Sequence, residues 1–479
     1  MAIDELSAST TDLYRRAYDP LPDELDYRVT QIDGALPKDL TGTLYRIGPG
    51  KFQVGKTLLH SIFDGDGMVS QLVLDGDSVH YRNRYVRTRH FEHGQRSDRI
   101  RYRGVGDQIP GGPLANVGRM AANVANTNIV NYAGGLLALW EMGNPHRIDP
   151  DSLETLGRFD FDGKLGFLGA FSAHPKWDPD TGDMYNFGLD LLPTPRIRTY
   201  RVDRAGKLHT LATIPMLDLP WNHDFALTQR YLVFVLDPLL PDLVKITLAT
   251  RSFIDSLDFK RSKGTRFLLV PKDGGKPRII EHEALLHVHL TNAYDDGDDV
   301  VIELVRFDTE WQEFRRLTSA VNTPEAPRFP SSRLMQYRIT KGGTVIEREL
   351  SGTSCEFPQF DWRRGSREHH YSYLAAMGSG ATGLLNSIMK VDHRTGVTTE
   401  CDFGLSAVGE PLFVPRTKDA DEDDGWLLFL NHELAENRSQ LVVLDARDLE
   451  GGPLAAAWLE HHIPWGFHGT FTRRQAVVG

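Results

Sequence analysis

The 479-residue chain is 40% apolar and 25% charged, which is ordinary for a folded globular protein. Its net charge of −11 disfavours a nucleic-acid partner, because phosphate binding requires a basic face. Two cysteines, Cys355 and Cys401, are too few for a disulfide framework or a cysteine-ligated zinc site and favour a reducing compartment. The segment from Met1 to Leu25 lacks the apolar run of a secretory signal, and no stretch approaches the roughly 18 apolar residues of a membrane span. A cytoplasmic protein is expected, with any membrane contact peripheral.

Helical periodicity is nearly absent, and one short helix is predicted at Thr10–Arg16. The rest of the chain has short apolar or alternating runs bounded by turn residues, a pattern typical of strands. In chain order the predicted strands are 42–45, 69–74, 129–131, 136–140, 231–236, 300–305, 371–376, 426–430 and 441–445.

Three similar turns lie between predicted strands, at 178–182, 202–206 and 391–396. In each, an early Asp can bond its own backbone, and a closing Gly supplies a positive φ. They indicate a repeated antiparallel unit, although no repeat of fixed period is visible. A propeller, a large sandwich and a pair of β domains all remain open on this pattern. No Pro/Ser-rich linker divides the chain, so a single domain spanning 1–479 is predicted, with the acidic run 419–424 at a solvated hairpin tip.

Four of the 18 histidines lie among aromatic, apolar or small residues: His174, His223, His289 and His468. A histidine in such surroundings must satisfy both ring nitrogens, which favours a metal or a carboxylate partner. No local metal-binding motif is present. The four side chains could therefore meet only if the fold brings distant strands to one axis.

Three acidic residues stand in similarly apolar surroundings: Glu141, Glu356 and Glu410. A carboxylate that accepts the free N–H of a metal-bound imidazole would explain this placement. A turn cap, or a pair with a nearby arginine such as Arg416, is the alternative. Of the remaining histidines, His287 is predicted not to be a ligand, and those in charged contexts are predicted to be exposed: His90, His93, His369 and His370.

Nine segments resemble the carotenoid cleavage oxygenase family, and most closely its cyanobacterial-type apocarotenoid oxygenases. Their order along the chain is the family's order, and together they cover nearly its whole length. They are 42–50, 63–69, 125–128, 137–141, 172–175, 223–226, 355–358, 409–416 and 467–469.

The resemblance implies an all-β fold, a seven-bladed β-propeller with a dome of loops and short helices over an axial iron site. It implies Fe(2+) held by the four histidines named above, with the three glutamates hydrogen-bonded to them. Thr127 matches the residue whose methyl group crowds one of the two open iron positions.

The implied activity is that of an iron(II)-dependent dioxygenase, which cleaves a conjugated C=C bond of an apocarotenoid with O2 into two carbonyl products such as retinal-like aldehydes. Ile47 stands where the family usually has Asn. Gly135 stands at the position that we assign to the lysine of the stilbene-cleaving branch, which disfavours a phenolic substrate. The alternatives are a stilbene or phenylpropenoid oxygenase on the same fold, a metal-dependent propeller hydrolase with acidic ligands, and a non-catalytic binding propeller.

The expected partners are an apolar polyene and O2; no protein partner is evident. Two apolar segments, 113–120 and 238–249, fit either of two roles. They form a dome surface that dips into a membrane around a tunnel mouth, or they pack beneath the dome.

Overall fold

The computed structural model describes residues 10–166, 169–191, 193–319, 321 and 326–478. Their strands form seven antiparallel sheets of four or more strands and two short ribbons. The seven sheets are the blades of a β-propeller, so the predicted fold is confirmed and the sandwich alternative is wrong. All nine predicted strands and the helix Thr10–Arg16 are present.

Blades 2 to 6 are each made from four strands that are consecutive within the blade. Blade 2 contains Asn128–Tyr132, Gly135–Leu139, His146–Ile148 and Thr155–Arg158; blade 3 contains Lys176–Trp177, Met184–Asp190, Arg196–Val202 and Leu208–Pro215; blade 4 contains Ala226–Leu227, Tyr231–Leu236, Thr265–Pro271 and Arg278–His282; blade 5 contains Leu286–Asp296, Asp299–Phe307, Ser332–Ile339 and Val345–Ser351; blade 6 contains Cys355–Gln359, Tyr371–Ala376, Ser387–Asp392 and Thr398–Asp402.

Blades 1 and 7 combine strands from both ends of the chain. Blade 1 has the order Asp26–Arg28, Val79–Tyr85, Asp66–Asp75, Thr41–Lys51 and Gly469–Thr472. Blade 7 has the order Gln31–Gly34, Asp448–Trp458, Arg438–Asp445 and Gly425–Glu433, with Ser406–Val408 and Leu412–Pro415 both paired to the last of these. The two ends thereby close the ring of blades, which leaves no gap between the first and the last.

Each blade is covered by a neighbour on both faces, which explains the continuous apolar runs in its strands. In Tyr231–Leu236 of blade 4, side chains alternate between the two faces. Leu232 and Phe234 pack against blade 3, whereas Val233 and Val235 pack against blade 5. The same strand therefore contributes to two apolar layers.

The dome is built from segments inserted between strands. It includes the helices Arg89–Arg96, Pro113–Asn116, Leu243–Thr247 and Trp311–Thr318, the single-turn 3-10 helices Ile62–Asp64, Ile254–Ser256 and Arg261–Lys263, and the ribbon of Leu239–Pro241 with Leu257–Phe259. A second ribbon joins Gln53–Val54 to Thr57–Leu58, and a further 3-10 turn spans Trp362–Arg364. Within the described residues, no helix is long and apolar enough to span a membrane.

Candidate metal centre

The four histidines in apolar contexts all lie in or next to an edge strand of a sheet. His174 and His223 precede the edge strands of blades 3 and 4, and His289 lies inside that of blade 5. His468 immediately precedes Gly469–Thr472, the last strand of the chain, in blade 1. These edge strands surround the propeller axis, so residues far apart in sequence project their side chains to one point.

The Nε2 atoms of the four rings converge. The distance is 2.9 Å from His174 to His223, 3.2 Å from His223 to His289 and 3.1 Å from His289 to His468. Three of the rings are buried and that of His223 is partly so. The structure thus brings together the histidines that the sequence singles out, and we refer to them as the histidine ring.

The Nδ1 atoms of three rings face carboxylates. His223 lies 3.0 Å from Glu141, His289 lies 2.6 Å from Glu356 and His468 lies 2.9 Å from Glu410. His289 and His468 in their neutral form donate Nδ1–H to Glu356 and Glu410 and keep the Nε2 lone pair directed to the centre. The contact of His223 with Glu141 has the distance of an ion pair, but its geometry is not that of a hydrogen bond. Burial lowers the pKa of His468 to about 4 despite Glu410, which favours the neutral form. Burial acts to lower the pKa of His223, but Glu141 together with Asp224 and Glu356 raises it.

The spacing of the lone pairs fits a metal ion with about 90° between neighbouring ligands. Two nitrogens at about 2.1 Å from one ion lie about 3.0 Å apart at 90° and about 3.4 Å apart at the tetrahedral angle. The observed 2.9 and 3.1 Å are closer to the first value, and 3.2 Å lies midway between the two. An octahedral ion would keep two open positions beyond the four imidazoles.

His174 is the ring member without a directly bonded carboxylate. Its Nδ1 lies 4.0 Å from Asp224 Oδ1, too far for a hydrogen bond. Asp224 is instead bound by Lys176 at 2.9 Å and by the backbone N–H of Leu290 at 2.9 Å. Burial together with the neighbouring rings lowers the pKa of His174 well below the usual value. Of the four imidazoles, this one is thus the least constrained by an acidic neighbour.

Glu410 belongs to a buried network that sequence reasoning did not find. Its Oε2 accepts a hydrogen bond from Arg46 at 2.7 Å, and its Oε1 accepts one from Gln359 at 2.6 Å. Burial acts to raise the pKa of Glu410, but His468 and Arg46 bring it to about 2. The suggested partner Arg416 pairs with Asp424 and Asp445 instead. Arg46 could have been identified as a buried residue from the sequence, because it is an arginine within the apolar strand 41–51.

The backbone next to Glu356 is strained. Phe357 has φ of +54°, which is uncommon for a bulky side chain, and the pairing of its strand shifts register between Glu356 and Gln359. The bulge lets Glu356 accept hydrogen bonds from both His289 and the backbone N–H of Phe357. Local strain here positions a carboxylate against the histidine ring.

Thr127 lies in the cavity wall beside the histidine ring, immediately before blade 2. Its hydroxyl donates a hydrogen bond to Asn126 Oδ1 at 3.2 Å. Asn126 is held in turn by the backbone carbonyls of Phe63 and Gly65, at 3.0 and 2.9 Å.

An apolar cavity under the dome opens onto the histidine ring. Its wall is mainly aromatic and aliphatic, with Trp140, Trp221, Phe253, Trp311 and Phe329 among its members. None of the described residues that line it is Lys or Arg. The cavity therefore suits an apolar molecule and offers no cation to an anionic one.

The position of Gly135 does not support the prediction that this residue removes a cation from the substrate site. Gly135 begins the second strand of blade 2 and is not one of the described residues that line the cavity. Trp140, next to Glu141, occupies the wall instead. The lack of Lys or Arg among the described residues of the wall thus does not depend on Gly135.

A second cluster joins Glu303, His369 and His393 between blades 5 and 6, where all three are buried. His369 was predicted to be exposed, and so was His90, which pairs with Asp66 at 2.7 Å; both predictions are wrong. Glu303 lies 3.2 Å from His369 Nε2 and 3.4 Å from His393 Nδ1.

The orientation of Asn292 argues against a metal in this second cluster. Asn292 donates to Arg367 O and accepts from Ser366 N, so its amide cannot turn over without losing both bonds. Its Nδ2 therefore donates to His369 Nδ1 at 3.2 Å. The hydrogen of neutral His369 must then lie on Nε2, which donates to Ser372 Oγ at 3.3 Å and has no lone pair for a metal. The cluster is a hydrogen-bonded network.

A propeller with four converging imidazoles under an apolar cavity defines the class of metal-dependent oxygenases with an all-histidine centre. The family model described as RPE65, retinal pigment epithelial membrane protein, matches residues 18–473. The chain belongs to this family, which is that of the carotenoid cleavage oxygenases.

Similar proteins cover almost the whole chain. Apocarotenoid-15,15'-oxygenase of Synechocystis is 34% identical, with 96% of each chain covered. Isoeugenol monooxygenase of Pseudomonas nitroreducens is 30% identical, with 94% of this chain and 96% of the relative covered. The crystal structure of cobalt-substituted Synechocystis ACO has a TM-score of 0.89 at 32% identity and covers 97% of this chain and 99% of that one.

Proposed function

We propose that this protein is an iron(II)-dependent dioxygenase that cleaves a conjugated C=C bond of an apocarotenoid with O2 into two carbonyl products. The observation that carries the proposal is a ring of four Nε2 atoms opening into an aromatic and aliphatic cavity. A polyene gains binding free energy there by burial, at about 25 cal/mol per Å2. The similarity to an apocarotenoid oxygenase supports the same substrate class.

In this proposal the ligands of Fe(2+) are His174, His223, His289 and His468. Four neutral imidazoles leave the full +2 charge on the ion, and spacing near 90° suits it better than the tetrahedral geometry of structural zinc. Bound iron would supply the activation of O2. The chain would hold the substrate, orient one double bond and exclude water. Thr127 is proposed to crowd one open position with its methyl group.

Anaerobic reconstitution with iron followed by product analysis tests the activity. Apocarotenals and apocarotenols of several chain lengths are incubated with the enzyme beside resveratrol and isoeugenol. We expect aldehyde fragments from the first group only when O2 is admitted, with several chain lengths accepted because burial has little directionality. His468→Ala serves as the inactive control. Turnover of the phenolic compounds alone would overturn the assignment.

The alternative on the same fold is cleavage of a stilbene or phenylpropenoid. The 30% identity to an isoeugenol monooxygenase favours it, whereas the lack of Lys or Arg among the described lining residues disfavours binding of a phenolate. A propeller hydrolase with acidic ligands fits less well, because the converging atoms are imidazole nitrogens.

We also propose that the protein contacts a membrane peripherally through its dome. Five exposed apolar residues form the surface that we call the dome patch: Leu114, Val117, Met120, Val244 and Leu248. Leu114 is 95% and Val244 66% exposed. Gln108, five residues before the first of the two segments that carry them, donates a hydrogen bond to Ala249 O at the end of the second. Exposed apolar side chains beside an apolar cavity suit extraction of a polyene from lipid.

Vesicle sedimentation tests the dome patch. The double variant Leu114→Glu/Val244→Glu is expected to reduce the vesicle-bound fraction about tenfold, because two apolar side chains that would enter the lipid become charged. Leu156→Glu is the matched control, since Leu156 is 57% exposed on the outer strand of blade 2. Equal loss in the control and the double variant would contradict a specific role of the patch.

A further inference from the structure

The cavity wall contains a histidine–aspartate pair that the histidine ring does not use. His287 and Asp237 both line the cavity, and their side chains are 4% and 5% exposed. His287 Nδ1 lies 2.7 Å from Asp237 Oδ2, and the same oxygen accepts the backbone N–H of His287 at 2.7 Å. The carboxylate therefore holds both the ring and the backbone of His287.

These contacts fix which ring nitrogen of neutral His287 carries the hydrogen. An ionised carboxylate only accepts hydrogen bonds, so Nδ1 of His287 carries the hydrogen of its bond to Asp237 Oδ2. Nε2 then has a lone pair. It is buried and has no hydrogen-bond partner among the described residues. Because His287 lines the cavity, this lone pair is available to a ligand.

The position of this acceptor is close to the reacting centre. His287 lies two residues before His289 in the strand Leu286–Asp296, and alternate residues of a strand are about 7 Å apart. Asn222 Oδ1 is another acceptor of the wall without a partner, whereas Trp311 Nε1 is a donor without one. Near the histidine ring, the cavity wall can thus accept a hydrogen bond from a substrate.

We propose that His287, oriented by Asp237, accepts a hydrogen bond from a hydroxyl group of the substrate and makes the enzyme favour hydroxyl-bearing alkenes. The inference rests on the proposed function, because it assigns specificity within the same cavity. The hydroxyl group belongs either to a polyene alcohol or to a phenol; both offer the same O–H donor. A methyl ether of the same skeleton lacks that donor and would leave Nε2 without a partner.

Anaerobic binding to the iron-loaded enzyme tests the inference without turnover. Quenching of tryptophan fluorescence reports occupancy, since Trp140, Trp221, Trp311 and Trp465 all line the cavity. Dissociation constants are measured for an apocarotenol and its methyl ether, and for isoeugenol and its methyl ether. We expect about tenfold tighter binding of the hydroxyl compound in at least one pair, the usual scale of one buried hydrogen bond. The pair that shows the preference identifies the source of the hydroxyl.

Variants separate recognition from structure. His287→Phe keeps a ring in the wall but removes the acceptor, so the alcohol-to-ether ratio should fall to about one. Asp237→Asn keeps an oxygen for the backbone N–H but no longer fixes the ring tautomer, so the ratio should fall partway. His282→Phe is the matched control, because His282 pairs with Glu347 at 2.9 Å on the outer strand of blade 4. Metal content is measured in each variant, and we expect it to stay at the level of the unmodified chain.

The outcomes distinguish this inference from the proposed function. An unchanged ratio in His287→Phe, or no hydroxyl preference in the unmodified enzyme for either pair, overturns the role of His287. If the enzyme in air cleaves neither class of alkene, the proposed function fails, while the anaerobic ratio still decides on His287. If the enzyme cleaves an alkene but His287→Phe does not alter the alcohol-to-ether ratio, the proposed function stands and only the inference about His287 fails.

Discussion

Replacement of any one member of the histidine ring by Ala is expected to lower bound iron from about one ion per chain to below about a tenth, because each supplies one of four converging Nε2 atoms. Oxygenase activity should fall with it. The measurement is elemental analysis after anaerobic reconstitution, with circular dichroism to confirm folding. The midpoint of thermal unfolding should fall by different amounts in the four Ala variants. His174→Ala leaves no directly bonded carboxylate behind, whereas His289→Ala leaves Glu356 buried and short of a donor.

Two other histidines provide the controls. His282→Ala removes a histidine that pairs with Glu347 on an outer strand, and His287→Ala removes one that lines the cavity but lies outside the converging group. Both should retain iron. If one of the four Ala variants folds and still binds a full complement of iron, the histidine replaced in it is not a ligand.

The strands were predictable because propeller blades bury both of their faces. Local apolar runs such as 231–236 and 371–376 coincide with strands residue for residue. The turns at 178–182 and 391–396 likewise connect adjacent strands of one blade. Local composition and turn chemistry are sufficient for such elements, since their partners are next in sequence.

Closure of the propeller was not visible to local reasoning. Gln31–Gly34 pairs with Asp448–Trp458, and Thr41–Lys51 pairs with Gly469–Thr472. Each pair joins opposite ends of the chain, and neither member has a pattern that specifies the other. The seven-bladed fold was therefore expected from the family resemblance and not from periodicity.

Histidine environments show the same limit. His90 and His369 lie among charged residues in sequence, yet both are buried. Their partners, Asp66 and Glu303, come from other strands. Conversely, the apolar neighbours of His223 and His468 indicated that these side chains lie inside the protein, because short edge strands at the axis are surrounded by packed residues on both sides. Sequence context reports burial only where the neighbours in sequence are also the neighbours in space.

The three glutamates that face the Nδ1 atoms of the histidine ring are expected to respond differently to replacement by Gln. For Glu141 and Glu356 we expect iron affinity or activity to fall roughly 10- to 100-fold, because the imidazole loses a carboxylate that fixes its orientation, while the fold is retained. Iron titration followed by chelator competition measures the affinity. Unchanged affinity and activity in all three Gln variants would contradict the carboxylate–imidazole assignment.

Glu410→Gln should in addition destabilise the fold. Glu410 is the buried partner of Arg46, with both side chains about 5% exposed or less, and removal of one member of a buried ion pair costs about 3–5 kcal/mol. The double variant Arg46→Met/Glu410→Gln removes the unpaired cation, so the free energy of unfolding should recover while iron affinity stays low. Stability is measured by urea denaturation of the metal-free chain. Recovery of both quantities in the double variant would mean that Glu410 acts only through Arg46, and its bond to His468 would then have no role in holding the metal.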